Sequence, residues 1–231
     1  MFYNLQNDCS LFVRNIMNKV GFLKTKQLVI CMMNSIEELK SENDALFALE
    51  LLQKKNYLIM SVDGYTLKRK LYADLTGDKF YDNIDTSKKE FIPFKMEKYS
   101  EKYKGIINSF WIVADMMPLS KDFYLGDNVW NYVFDVDLED KHLLYEVAYY
   151  PSEKIDIFNE ILKHTSQIPH DDTRKCLRRI VLTDDVSAYK KIKRLGINGV
   201  AVIDNSNTKG YCLVDKRKVE DAWSDYVSLS K

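Results

Sequence analysis

Residues 41–69 read SENDALFALELLQKKNYLIMSVDGYTLKR, and this stretch decides how the front of the chain folds. Ser41-Glu42-Asn43-Asp44 is a helix start, because a serine oxygen can accept a backbone N–H of the first turn. Leu46, Leu49 and Leu52 keep helical spacing, and Phe47 and Leu51 widen the apolar stripe. Lys54-Lys55 lead to Asn56, a plausible stop. Tyr57 to Val62 then reads as a strand, Asp63-Gly64 as a turn and Tyr65 to Arg69 as the returning strand. Asp-Gly between two such runs predicts a tight hairpin, since a type I′ turn needs positive φ at both central residues.

Upstream, Leu11 to Val20 forms an amphipathic helix with Leu11, Phe12, Ile16, Met17 and Val20 inward, and Gly21 closes it. Thr25 caps a second helix, Thr25 to Met33. Asn34 to Lys40 is either a turn or the front of the third helix. The order to residue 72 is helix, helix, helix, hairpin, which is winged-helix order. The plainer alternative is a small helical bundle with an attached hairpin.

Lys+Arg and Asp+Glu both number 34, so the formal net charge is zero. That argues against a general polyanion binder and leaves any nucleic-acid contact to a local basic patch. Hydrophobic residues make up 46%, enough for a real core. Fifteen Tyr and eleven Phe stand against eight Gly and four Pro, which predicts compact elements with few flexible linkers. Cys9, Cys31, Cys176 and Cys212 form no CxxC pair, so reduced structural thiols and a cytoplasmic location are expected. Met1 to Ser10 lacks the pattern of a secretory leader, and no run of about 20 apolar residues predicts a membrane span.

Residues 73–95 read as a connector. A long apolar helix follows from Met96 to Met117, ended by Pro118. Trp130 to Leu138 and His142 to Tyr150 form an antiparallel pair, and Ser152 caps a helix from Glu153 to His164. Arg178 to Thr183 is a strand, and Asp184 or Asp185 caps a helix over Val186 to Leu195, closed by Gly196. Gly199 to Asp204 and Tyr211 to Val214 pair through a turn, and Val219 to Leu229 is a terminal helix. Strands alternating with helices predict a mixed α/β sheet covered on both faces.

A leading helix, an antiparallel pair, a helix and further strands resemble the restriction-endonuclease-like fold. With the winged-helix front, the whole chain resembles the replication-relaxation family of mobile genetic elements. The resemblance implies a winged-helix domain at 1–72, the connector at 73–95 and a nuclease-like α/β domain at 96–231. It also implies that an active member carries an Asp on one strand and Asp/Glu-x-Lys on the next, holding Mg²⁺. Glu146-Val147-Ala148 matches that motif at Glu146 but has Ala148 in place of Lys, and the Asp position falls near Asn131. A non-catalytic descendant is therefore expected. If Asp140-Lys141 is a two-residue turn, Asp135 lies opposite Glu146, where the two carboxylates are either solvated or bridged by a cation. A one-residue slip would put them on opposite faces.

His142, His164 and His170 are too scattered for a metal triad, and no metal or cofactor is expected. Ser120, Ser152 and Ser166 lack a nucleophile-elbow context. Gly196-Ile197-Asn198-Gly199 reads as a helix-to-strand turn. The expected DNA-contacting cations are Lys54, Lys55, Lys68, Arg69 and Lys70 around the wing, and Arg174, Lys175, Arg178 and Arg179 in the densest basic cluster. Glu42, Asp44 and Glu50 would oppose phosphate at the front of the third helix. Three functions follow. The first is a DNA-binding accessory protein in replication or transcription control, taking double-stranded DNA and a protein partner through the α/β domain. The second is a metal-dependent nuclease at Asp135 and Glu146. The third is a protein-interaction scaffold.

Overall fold

A computed structural model describes residues 2–60, 64–67, 101–126, 129–138, 141–165, 177–193 and 196–215. The chain divides into two compact units, Met1–Ser100 and Glu101–Lys231. The expected connector and terminal helix lie outside the described residues. No described helix is long and apolar enough to cross a membrane.

In the first unit, helix α1 spans Phe2–Val20 and starts well before the expected Leu11. Gly21 ends it with φ +82 and returns its N–H to the Met17 carbonyl at 2.7 Å. A two-residue strand β1, Leu23–Lys24, follows and leads into α2, Thr25–Ser35. Thr25 is thus the first helical residue and not the cap. The cap is Lys24, whose N–H donates to the Gln27 side chain at 3.1 Å. Residues after Ser35 turn, pinned by buried Ile36 and Leu39. Helix α3 spans Glu42–Lys54 and begins as the sequence implies, with the Ser41 hydroxyl accepting the Asp44 N–H at 3.2 Å. Asn56 stops it in a left-handed conformation, φ 63.

Strands β2, Leu58–Met60, and β3, Gly64–Leu67, pair antiparallel, and the three-stranded sheet has order β1-β3-β2. Met60 lies opposite Tyr65. A two-residue Asp63-Gly64 turn would have set Val62 there, so the register differs by two residues. Gly64 belongs to β3, opposite Lys24 of β1. A Cβ at Gly64 would sit 2.2 Å from the Leu23 carbonyl oxygen and 2.5 Å from the Phe22 ring. The glycine is needed because two backbones meet there, not to shape a turn. Val13, Ile16, Met17, Leu28, Met32, Leu49 and Leu52 fill the core between the three helices and the sheet.

The second unit opens with α4, Glu101–Met116, followed by a 3-10 turn at Met117–Leu119. Strands β4 (Ser120–Leu125), β5 (Tyr132–Leu138) and β6 (Lys141–Tyr149) form an antiparallel meander. Helix α5 (Ile155–Thr165) crosses over to β7 (Leu177–Thr183), which runs parallel to β6. Strand β8 (Gly199–Ile203) continues parallel, and β9 (Tyr211–Asp215) returns antiparallel. The sheet order is β4-β5-β6-β7-β8-β9. The unit is mixed α/β, as the sequence implies.

Side chains alternate across the sheet. On one face Phe110 of α4 packs edge-on to Phe123 and Tyr132, with ring centroids 5.7 Å and 5.8 Å away. On the other, Ile155, Phe158 and Leu162 of α5 pack with Trp130, Ala148, Val181 and Val200. Two local expectations fail here. Ser152 does not cap α5; its N–H donates instead to the Asp184 carboxylate at 2.8 Å. Val186 to Leu195 is not a long helix but a 3-10 turn at Val186–Lys190, capped by Asp185 as anticipated. The buried Asn159 carboxamide takes the Lys191 carbonyl at 2.9 Å and the Lys193 N–H at 2.8 Å, so these backbone groups are spent on a side chain.

Candidate functional site

The site is the sheet face of the second unit around Glu146. Strand register aligns Tyr124, Val133, Glu146 and Arg179 across β4, β5, β6 and β7. Cross-strand partners share a face, so these four residues project to the side that α5 covers further along the strands. Asp135 pairs with Leu144 and Asp137 with His142 on the same face. Asp135 is therefore not directly opposite Glu146. It is the diagonal neighbour, with Cα atoms about 7–8 Å apart in such geometry. The expected opposition fails by two residues of register, which keeps both carboxylates on one face.

Arg179 meets Glu146, and His142 is shared by Asp135 and Asp137. Arg179 Nε donates to Glu146 Oε2 at 2.7 Å, and the two side chains are only 9% and 18% exposed. The Arg179 guanidinium also lies over the Trp130 ring, 5.2 Å from its centroid. Backbone bonds with Asn198 hold Arg179 in place, with its N–H donating to Asn198 Oδ1 at 2.8 Å and its carbonyl accepting the Asn198 N–H at 2.9 Å. His142 bridges the other two acids, with Nδ1 at 2.7 Å from Asp137 and Nε2 at 3.2 Å from Asp135. The hydrogen bond to Asp137, assisted by Asp135, holds the imidazole pKa above its ordinary value.

These residues do not fit a Mg²⁺ centre. Glu146 is held by a guanidinium, and Ala148 is fully buried beside α5. Asn131 stands where an acid would be required, and its Oδ1 accepts the Ser109 hydroxyl at 2.8 Å and the Tyr149 N–H at 2.7 Å. Its side chain clasps α4 to β6. Among the described residues, no group of three or more His, Cys, Asp or Glu is arranged to hold a metal ion.

Of the expected cations, Lys54 and Lys55 of the first unit and Arg178 and Arg179 of the second fall among the described residues. Lys54 and Lys55 are exposed at the end of α3, with Lys54 Nζ 4.0 Å from Glu50. Arg178 and Arg179 are adjacent strand residues and so point to opposite faces. Arg178 donates to its neighbour's carbonyl, Leu177 O, at 3.1 Å. Lys68, Arg69, Lys70, Arg174 and Lys175 lie outside the described residues.

A second buried charge escaped sequence reasoning. Asp115, on the apolar α4, accepts the Tyr211 hydroxyl at 2.8 Å and pairs with Lys209 at 3.0 Å. The available signal was a lone acid inside the apolar run from Ile106 to Met117. Its partners lie in and just before β9, so it anchors that hairpin to α4 and does not open onto the Glu146 face. Comparisons with protein-family models, curated proteins and solved structures found no match for this chain.

Proposed function

We propose that the chain is a non-cleaving DNA-binding accessory protein, built from a winged-helix unit and a restriction-endonuclease-like unit that has lost its metal chemistry. The first assignment is supported by the order α1, β1, α2, α3, β2, β3 with a β1-β3-β2 sheet, in which β1 closes the sheet against the hairpin. The second is supported by a helix, an antiparallel meander and a crossover helix leading to a parallel strand. The observation that carries the non-cleaving reading is the Glu146–Arg179 pair, which puts an internal guanidinium against the motif carboxylate. Cleavage needs that carboxylate to hold a metal and activate water. Action on a mobile element, in replication or transcription control, is what the family resemblance adds to this reading.

In this proposal Lys54 and Lys55, with the hairpin cations beyond the described residues, meet phosphate and not bases. The test is a gel shift with random duplex DNA across a salt series, beside incubation of supercoiled DNA in Mg²⁺ and in Mn²⁺. Binding is expected without nicking. Lys54→Ala with Lys55→Ala should weaken binding for every sequence and flatten the log-salt slope by about 0.9 for each phosphate no longer neutralised. Absence of binding at low salt refutes the DNA role, and nicking that Glu146→Ala abolishes refutes the non-cleaving one. A second reading, a protein-interaction scaffold, is favoured by the exposed carboxylates Glu42, Asp44 and Glu50 on α3, which repel phosphate.

A further inference from the structure

Helix α3 carries apolar residues on two sides. Ala45, Leu49 and Leu52 are buried in the core of the first unit. Leu46, Phe47 and Leu51 fall on the other side, where Leu46 and Leu51 are half-buried and Phe47 is 53% exposed. Helical spacing places Asn43, Phe47, Glu50 and Lys54 along the centre of that outer face, with Leu46 and Leu51 on its flanks. Phe47 and its two flanking leucines make a small apolar spot on an otherwise polar outer face. Here one side has its cover and the other presents a phenylalanine to water.

The charges around Phe47 say what kind of cover fits. Glu42, Asp44 and Glu50 are all exposed. Asp44 also accepts the Ser41 hydroxyl at 2.8 Å, which fixes its carboxylate at the start of the helix. Lys54, at the far end of the same face, stays 4.0 Å from Glu50, at the limit of an ion pair, on side chains that are both largely exposed. The patch is therefore one exposed phenylalanine between two half-buried leucines, about one and a half turns long, with acidic groups at its front and middle. Phosphate is the wrong partner for it.

We propose that this outer face of α3 is a docking surface for an amphipathic, basic segment of a partner protein. The partner places an apolar side chain against Phe47 between Leu46 and Leu51, and lysine or arginine side chains against Glu50 and the Glu42–Asp44 end. The mode is that of an amphipathic helix anchored at one aromatic side chain, with specificity from complementary charge. The proposal deepens the scaffold reading and stands whether or not Lys54 and Lys55 meet DNA.

The test uses the ¹⁵N-labelled full chain and two synthetic helical peptides with the same leucine spacing, one with lysines at its polar positions and one with glutamates. The lysine peptide is expected to shift the amide resonances of Asn43, Phe47, Glu50 and Lys54, and the glutamate peptide to leave them in place. Phe47→Ala should weaken the lysine peptide about tenfold, as a central aromatic anchor does. Phe47 is exposed, so this variant keeps its fold, and an unchanged spectrum elsewhere verifies that. Glu50→Gln should weaken the binding and reduce its salt dependence. Equal response to both peptides, shifts away from α3, or a Phe47-dependent dimer of the chain alone would overturn the proposal. So would duplex DNA shifting these amides where the lysine peptide does not. A chain that binds the lysine peptide but fails the gel shift loses the DNA reading and keeps this one.

Discussion

Replacing Arg179 with alanine removes the cation that meets the Glu146 carboxylate in the sheet interior. The carboxylate, only 18% exposed beside Arg179, stays behind against β7. Removing one partner of a buried pair costs about 3–5 kcal/mol, because the remaining charge keeps its desolvation without its partner. Residual exposure lets water reach Glu146, which moves the expectation to the lower end. Loss of the stacking on Trp130 adds roughly 0.5–1 kcal/mol. Arg179→Ala should thus destabilise the second unit by about 3.5–4 kcal/mol. Replacing both partners, Arg179→Met with Glu146→Leu, should return stability to within about 1 kcal/mol of the parent, since neither charge is then stranded. Urea unfolding followed by tryptophan fluorescence reads this cleanly, because Trp111, Trp130 and Trp223 all belong to the second unit. The urea slope should stay constant while the midpoint moves. A cost below about 1 kcal/mol for Arg179→Ala, or a double variant as unstable as the single one, refutes the view that this pair is a closed internal neutralisation.

Two further outcomes follow from local geometry. His142 has a raised pKa in the folded chain, so what it adds to stability is complete below its unfolded pKa and is lost as pH rises through the folded one. Titration of its ring resonances should show a midpoint that falls more in Asp137→Asn than in Asp135→Asn, because the Asp137 hydrogen bond is the largest cause; an equal or reversed order would sink that assignment. Gly64→Ala puts a methyl 2.2 Å from the Leu23 carbonyl oxygen, so β1 and β3 must part, at a cost of about 1–3 kcal/mol. Amide exchange at Leu28 and Leu49 should quicken while the tryptophan transition of the second unit stays where it is, and unchanged exchange would refute the close-approach account.

The elements that sequence revealed are those fixed by neighbours a few residues away. Ser41 and Asp44 close α3 at one end and Asn56 stops it at the other, all within one turn of the helix they define. The β5–β6 pair was legible from alternation. Strand β1 was not, because two residues carry no period, and its existence depends on β3, far along the chain. Gly64 misled for the same reason. An Asp-Gly pair states a local turn preference, and the actual constraint on the glycine is a backbone from elsewhere in the chain. Strand β4 was missed because Ser120, Lys121 and Asp122 open it with polar residues and its pairing shifts register between Ser120 and Phe123. The helix expected over Val186 to Leu195 was lost to Asn159, a residue that local reading cannot connect to it.

The candidate site shows the same division. Glu146 could be picked out by its spacing to Ala148, but its partner could not, because Arg179 is 33 residues away and reaches it through parallel register. The register also explains why the cation comes from β7 and not from position 148. Residues two apart on a strand share a face, and on this face Ala148 sits under α5 among Phe158, Val181 and Val200. A lysine there would have to bury its ammonium in that cluster or displace the helix, at several kcal/mol. One step sideways along the Glu146 row, Arg179 lies beyond the most tightly covered part of the face. Its flat guanidinium can stack on Trp130 while donating to the carboxylate. Arginine suits that place better than lysine, because a planar, weakly hydrated cation loses less on leaving water. The cost of seating a crossover helix close over β6 is thus reflected in which strand supplies the charge, and a carboxylate neutralised in that way has little left to offer a metal.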